Sequence, residues 1–185
     1  MSFINEYNYY LKTEKNFQMS TLNKAIQRLR KVVKFALGHD YLDKDPFLLY
    51  TAKSVKKELV YLTQEELMKL ENHQCDIKRV EAIKDCFVFC CYTGLAFKEM
   101  ANLRIEHIVK GYDGMDWIMM KRQKTQKNLA IPLLPKALQI IDKYGNNKGQ
   151  VLPVLSNARF NAYLKEIADI LGIRKRLTHH VARRT

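Results

Sequence analysis

The chain has 185 residues, of which 47% are hydrophobic, and a formal net charge of +13 at pH 7. This length fits one domain, or one domain with part of another, and the hydrophobic content suffices for a packed core, so a disordered chain is excluded. No apolar run of about 18 residues is present, which excludes a transmembrane helix. The charge favours a polyanionic partner, and nucleic acid is the first candidate.

The opening residues, MSFINEYNYY, contain neither the basic segment nor the apolar segment of a signal peptide. Because no transmembrane helix is predicted either, we expect a cytoplasmic protein without a membrane partner.

Two helices are predicted in the first part of the chain. Residues 3–11, FINEYNYYL, resemble the end of one helix, and apolar residues from Leu22 to Ala36 recur at the spacing of a second. Ser20 or Thr21 is predicted to cap the second helix, and Gly38 to end it.

A basic stripe, Lys24, Arg28 and Lys31, lies on another face of this second helix. Such a stripe is either a solvated charged face or a row of phosphate contacts, and the overall charge leaves both open.

A linker is predicted over residues 47–61, because Pro46 breaks the helix and a polar, lysine-rich segment follows. Thr63 and Glu66 then form a capping-box pattern that opens a new helix. An apolar helix follows at 79–92 and ends at Thr93-Gly94.

Two of the four cysteines, Cys86 and Cys90, are spaced to lie on one face of this apolar helix. The spacing could hold a metal, but the neighbours are apolar and no histidine is nearby. Buried free thiols are therefore the favoured interpretation.

The pattern changes to short antiparallel strands between about residues 107 and 134. One turn is predicted at Tyr112–Gly114 and a second at or near Lys124–Lys127. Two helices follow, one from Pro135 to Gly145 and one capped by Ser156.

The last residues, RLTHHVARRT, read as the start of a further helix. Thr178 is a plausible N-cap, and His180 and Arg183 share a helical face. The ending looks like a truncation of this helix.

Four stretches in this order, CYTGLAFKEMANL, MKRQKTQKNLAIPLLP, VLPVLSNARFNAYLKEIADILGI and LTHHVARRT, resemble the tyrosine recombinase (phage integrase) family, most closely integrases of Bacteroides-type mobile elements. The resemblance implies a mainly α (α+β) protein with a small three-stranded antiparallel sheet in a helical catalytic domain of the DNA breaking-rejoining type. Residues 1–46 would be the C-terminal part of the SAM-like core-binding domain, and 62–185 a truncated catalytic domain.

The resemblance also implies the chemistry. A tyrosine attacks a DNA phosphate and forms a 3′-phosphotyrosyl intermediate, two arginines hold the phosphate oxygens, a hairpin lysine protonates the leaving 5′-oxygen, and a histidine assists proton transfer. Lys124 matches the hairpin lysine, and His180 and Arg183 match the H-x-x-R box. No cofactor or metal is implied. The implied partners are double-stranded DNA and, in the intact family, a tetramer of protomers on that DNA.

Ala96 stands where the family usually has its first arginine, while the acidic residue that supports the arginine cluster is present as Glu99. Arg122 precedes Lys124 by two residues, so on a strand the two would point to one side, and Arg122 is the hypothesised substitute. All ten tyrosines lie before His180, so we expect no nucleophile in this chain and predict that it is inactive.

The expected DNA-contacting residues are basic side chains of the second helix, Lys24, Arg28 and Lys31, and of the two basic segments that carry these motifs, Lys121, Lys127 and Arg176. One alternative is a non-catalytic DNA-binding or regulatory module, or an inactive integrase remnant, on the same helical scaffold. Another is a merely basic RNA-binding or scaffold protein, which would show no preference for duplex DNA.

Overall fold

The computed structural model describes residues 3–54, 58–145 and 149–185. Contacts divide the chain into two compact units, Met1–Glu58 and Leu59–Thr185, each with its own apolar core. Residues 55–57 of the predicted linker lie outside the described residues.

The first unit contains α1 (Phe3–Thr13) and α2 (Met19–Gly38), as the sequence predicts. The predicted cap is wrong: α2 already begins at Met19, its N-cap is Gln18, and no side chain caps it. The predicted linker start also differs from the structure. Phe47 is fully buried in the core of this unit, because its large apolar ring gains most by leaving water.

The second unit contains six helices within its described residues: α3 (Gln64–Asn72), α4 (Lys78–Thr93), α5 (Phe97–Ala101), α6 (Pro135–Tyr144), α7 (Asn157–Ile170) and α8 (His179–Ala182). The capping box of Thr63 and Glu66 is confirmed. Gly94 ends α4 in the left-handed region, at φ 63°, which glycine adopts without steric cost.

The predicted antiparallel sheet is confirmed and has the order β1 (Ile108–Lys110), β2 (Asp116–Lys121), β3 (Asn128–Pro132). Both predicted turns are present. Between β2 and β3 the register pairs Lys121 with Asn128, so residues 122–127 form the connecting turn.

Helix α4 forms the centre of the second unit and packs against α3, α6, α7 and α8. An unbroken run of its residues, Ile83 to Cys90, is buried, which explains why it lacks the apolar stripe of a surface helix. Among the described residues, no helix has the length and apolar character needed to cross a bilayer.

A charged network joins α4 to α6. The ammonium of Lys84, only 3% exposed, pairs with Glu81 and Asp85 and donates to the carbonyl of His73. Lys143 on α6 bridges the same two carboxylates, at 2.9 Å from Glu81 and 2.6 Å from Asp85. Each buried charge therefore has a partner, as burial requires.

Candidate active site

A cavity of about 450 Å³ lies where α5, the β2–β3 turn, the first two turns of α7 and the start of α8 meet. Its wall combines two ammonium groups, imidazoles and amides with one buried carboxylate. The lining residues are Ala96, Phe97, Lys98, Glu99, Gln123, Lys124, Asn157, Asn161, Thr178, His179 and His180.

Lys124 reaches this cavity from the tip of the β2–β3 turn. The turn is closed by backbone bonds from Arg122 N–H to Lys127 C=O and from Gln126 N–H to Arg122 C=O. Gln126 takes the left-handed region, at φ 55°. Lys124 is exposed, so its ammonium is available to a ligand.

The carboxylate of Glu99 is held in place on both sides. One oxygen accepts a hydrogen bond from the backbone N–H of Ala96 at 2.8 Å, and the other lies 3.6 Å from Nε of Arg122. Ala96 itself lines the cavity. The structure thus brings Arg122 of the turn to the carboxylate of Glu99. This carboxylate lies beside Ala96, the position where the resemblance implies an arginine.

The prediction that Arg122 and Lys124 alternate along a strand is wrong, however. Strand β2 ends at Lys121, so Arg122 and Lys124 lie in the turn and do not alternate along a strand. The backbone of the turn, rather than strand geometry, places both side chains on the side of α5.

His180 lines the same cavity as Lys124 and is exposed. Arg183 follows it by three residues at the C-cap of α8, is also exposed, and does not line the cavity. Its charge and that of Glu99 both act on the pKa values of the buried pair His179 and Cys90, in opposite directions.

His179 was missed by the sequence analysis and is the buried member of the histidine pair, at 3% exposure. Its Nε2 lies 3.3 Å from Sγ of Cys90, and its ring packs edge-on to Phe97 and tilted against Phe160. Burial, followed by the charges of His180 and Arg183, lowers its pKa to about 4. The only indication in the sequence that His179 is buried was the apolar character of α4 and α7, which flank the histidine pair.

Thr178 is the N-cap residue of α8, as predicted. The side chain of Thr178 makes no capping hydrogen bond. Instead, Oδ1 of Asn161 on α7 accepts from the backbone N–H of His179 at 3.0 Å. A tertiary contact takes the place of a local cap, because α7 passes beside the start of α8.

The remaining predicted DNA contacts are exposed on both units. Lys24, Arg28 and Lys31 face solvent on α2, opposite its buried residues Leu22, Ile26 and Val33. Lys121, Lys127 and Arg176 are exposed on the second unit.

The basic segment 174–176 is only partly available to a ligand. Lys175 pairs with Glu66 at 2.6 Å and lies over the ring of Tyr61. Arg174 and Arg176 flank it and are exposed.

Cys86 and Cys90 of α4 are buried free thiols, as predicted, and Cys91 is half-buried. Burial raises the pKa of Cys86 to about 12, so this thiol stays protonated. Within the residues that the structure describes, no group of three or more His, Cys, Asp and Glu side chains is placed to hold a metal ion.

Comparison with known proteins agrees with this geometry. Residues 1–56 match the family described as the phage integrase SAM-like domain. The whole chain superposes on solved recombinases and integrases: an integrase of the Tn1549 transposon in complex with a circular-intermediate DNA has a TM-score of 0.74 at 15% identity. The chain has the tyrosine recombinase fold.

Two further solved structures share the tyrosine recombinase fold. A lambda integrase dimer bound to a COC′ core site has a TM-score of 0.69 at 17% identity, and XerA recombinase has 0.54 at 20%. Each alignment covers 97% of this chain; it covers 70% of the Tn1549 protein, 54% of the lambda protein and 65% of XerA. No curated protein sequence matches the chain.

Proposed function

We propose that the chain is the DNA-binding and phosphate-holding part of a site-specific DNA recombinase of the tyrosine type, encoded by a mobile element or prophage of a bacterium. The cavity shared by Lys124 and His180, beside the Glu99–Arg122 pair, is the observation that carries the proposal. It brings a flexible ammonium and an exposed imidazole to one space, and a guanidinium pairs with the carboxylate in its wall, which suits a phosphodiester in an anionic transition state.

The residue types agree with these roles. Arg183 and Arg122 each offer a planar set of donors that can grip two phosphate oxygens, and the carboxylate of Glu99 orients Arg122. Lys124 on its turn can contact the strand and donate a proton to the leaving 5′-oxygen, with His180 assisting proton transfer. These cations would stabilise the charge without a metal.

The nucleophile is not among the residues of this chain. All ten tyrosines precede His180, and no tyrosine is among the described residues that line the cavity. Several have other partners: the hydroxyl of Tyr92 donates to Glu71, and that of Tyr144 to Asp85. The 185-residue chain is therefore proposed to bind duplex DNA without cutting it.

Duplex DNA is the proposed partner, and protomers that carry a nucleophile are proposed to assemble on it as a tetramer. The solvent face of α2, with Lys24, Arg28 and Lys31, and the surface around Lys121, Lys127 and Arg176 would contact phosphates. Such contacts position the duplex without reading its sequence. A protein that acts this way would work on the bacterial chromosome in the cytoplasm.

Binding of a labelled duplex across a series of salt concentrations tests this function. We expect the logarithm of the affinity to fall linearly with the logarithm of salt concentration, and single-stranded RNA of equal length to bind more weakly. Equal affinity for both nucleic acids, or no binding to the duplex at low salt, would reject it in favour of the basic scaffold protein.

A non-catalytic DNA-binding regulator remains the second candidate, because the cavity lacks a tyrosine. The gene sequence beyond codon 185 separates the two. A further helix that carries a tyrosine after the H-x-x-R box would support the recombinase, and a reading frame without one would support the regulator.

A further inference from the structure

The start of α8 is held by side chains from other elements rather than by its own sequence. Oδ1 of Asn161 accepts the first amide of α8, that of His179. Nδ2 of Asn161 in turn donates to Asn157, to its backbone oxygen at 2.8 Å and to its Oδ1 at 2.9 Å. These two bonds fix the orientation of the side-chain amide of Asn161, so Oδ1 faces α8.

The ring of His179 provides the second anchor. It is buried between Phe97 and Phe160 and contacts Sγ of Cys90 on α4. Successive residues on a helix point about 100° apart. A ring fixed in the core therefore determines where the next side chain, His180, points.

These anchors matter because α8 spans only four residues. A helix this short has no stability of its own in water. The direction of His180, and of Arg183 at its C-cap, therefore depends on tertiary contacts.

We propose that Asn161 and His179 are positioning residues, which set the direction of His180 at the cavity and of Arg183 at the C-cap of α8. The expected effect on phosphate binding rests on the proposed function, whereas the positioning of His180 and Arg183 does not. Neither residue is assigned a proton or a phosphate oxygen. Asn161 acts through the α8 amide, and His179 through the chain that carries His180.

The experiment compares Asn161→Ala with Asn157→Ala in the full 185-residue chain. Both positions line the cavity, but only Asn161 accepts the α8 amide, and Asn157→Ala keeps the backbone oxygen that accepts from Nδ2 of Asn161. Three readouts are taken by NMR and fluorescence: hydrogen exchange of the His179 amide, the ring resonances of His180, and the affinity for inorganic phosphate. Unfolding followed by the single tryptophan, Trp117, shows whether the second unit stays folded.

We expect Asn161→Ala to speed exchange of the His179 amide about tenfold, to shift the His180 ring resonances and to weaken phosphate binding several-fold. Asn157→Ala should change each of them by less than about twofold. Asn161→Asp keeps the accepting oxygen, so it should restore amide protection and the His180 resonances, while its charge still weakens phosphate binding.

His179→Phe keeps the ring packing but removes the contact with Cys90, and we expect it to shift the His180 resonances as well. The inference is overturned when Asn161→Ala leaves the His180 resonances unchanged, or when it matches Asn157→Ala in all three readouts. Failure of the wild-type chain to bind phosphate or duplex DNA would instead reject the proposed function, because the exchange and ring readouts need no ligand.

Discussion

Nε of Arg122 lies 3.6 Å from Oε1 of Glu99, across the gap between the β2–β3 turn and α5. Glu99 is 7% exposed, whereas the side chain of Arg122 is 38% exposed. The carboxylate is thus a fixed support, and the guanidinium still has donors that face solvent. A buried acid that orients a half-exposed arginine is the arrangement expected of an anion clamp.

Replacement of Arg122 tests this clamp. We expect Arg122→Ala to weaken binding of inorganic phosphate by about 1.5–3 kcal/mol, the worth of a charged hydrogen bond. Lys121→Ala removes a neighbouring exposed cation with no carboxylate partner and serves as the control. Equal losses in the two variants, measured by calorimetry, would reject a special role for Arg122. In a recombinase that carries its nucleophile, cleavage should suffer more than DNA binding.

Lys124 and Lys127 occupy the same turn, but only Lys124 lines the cavity. Each alanine variant should lose about one phosphate contact. The slope of log affinity against log salt concentration should therefore become shallower by about 1. Only Lys124→Ala should also weaken binding of inorganic phosphate, since Lys127 is not among the residues that line the cavity. Anisotropy titrations at several salt concentrations measure the first effect, and calorimetry measures the second. Identical phosphate affinities for the two variants would contradict the placement.

The 185-residue chain should form no covalent link with DNA. Incubated with a nicked duplex that traps a phosphotyrosyl intermediate, it should migrate unchanged on a denaturing gel, because no tyrosine lines the cavity. A recombinase that carries its nucleophile, on its own trapped duplex, is the positive control. A shifted band that disappears on mutation of one tyrosine would identify an unexpected nucleophile.

His179 should make the second unit sensitive to mild acid. Its folded pKa of about 4 lies below an unfolded value of about 6.5. The folded state therefore favours the neutral ring, and the stability this provides is complete above about pH 6.5 and is lost as pH falls towards 4. The full loss amounts to about 3 kcal/mol.

Urea unfolding followed by Trp117 fluorescence measures this loss. His179→Phe should have a flatter pH dependence between about pH 7 and pH 4. His73→Gln removes a histidine whose backbone carbonyl, not its ring, accepts from Lys84, and it serves as the control for loss of a histidine. An unchanged slope in His179→Phe would show that the buried ring does not titrate as inferred.

The lowered pKa of Glu81 predicts a second loss of stability, at a lower pH than that of His179. Burial alone would raise its pKa, but hydrogen bonds from Lys143 and Lys84 lower it to about 2. Its contribution is present above the unfolded pKa of about 4.3 and is lost as pH falls through about 2. Because its side chain is 19% exposed, solvent screens the interaction. We expect its contribution to the free energy of unfolding to be about 2 kcal/mol.

Glu81→Gln should remove this transition from the urea midpoints. Glu106→Gln breaks an exposed pair with Arg104 and should change the midpoints little, as surface ion pairs do. Equal effects of the two variants would show that burial does not strengthen the network.

Much of the fold follows from local patterns. The capping box of Thr63, Gly94 at the end of α4, Pro135 at the start of α6 and Ser156 at the start of α7 are each a local choice of backbone conformation. Such choices depend on residues within one or two turns, so the sequence suffices to predict them.

The candidate site could be predicted only in part. Lys124 and His180 were predicted by resemblance, and the structure places both on one cavity. Asn161 as the cap of α8 and the burial of His179 could not be predicted, because both arise from contacts between α7, α8 and α4, far apart in the chain.

By itself, the sequence determined the helices other than α5, the small sheet and a strongly basic composition, because propensity, capping and charge act between near neighbours. Only the tertiary structure decided which of two adjacent histidines is buried in the core and which stays exposed, and which carboxylate receives Arg122. Those choices depend on which side chains gain most from leaving water, and that free energy exists only once α4, α5 and α7 have packed together.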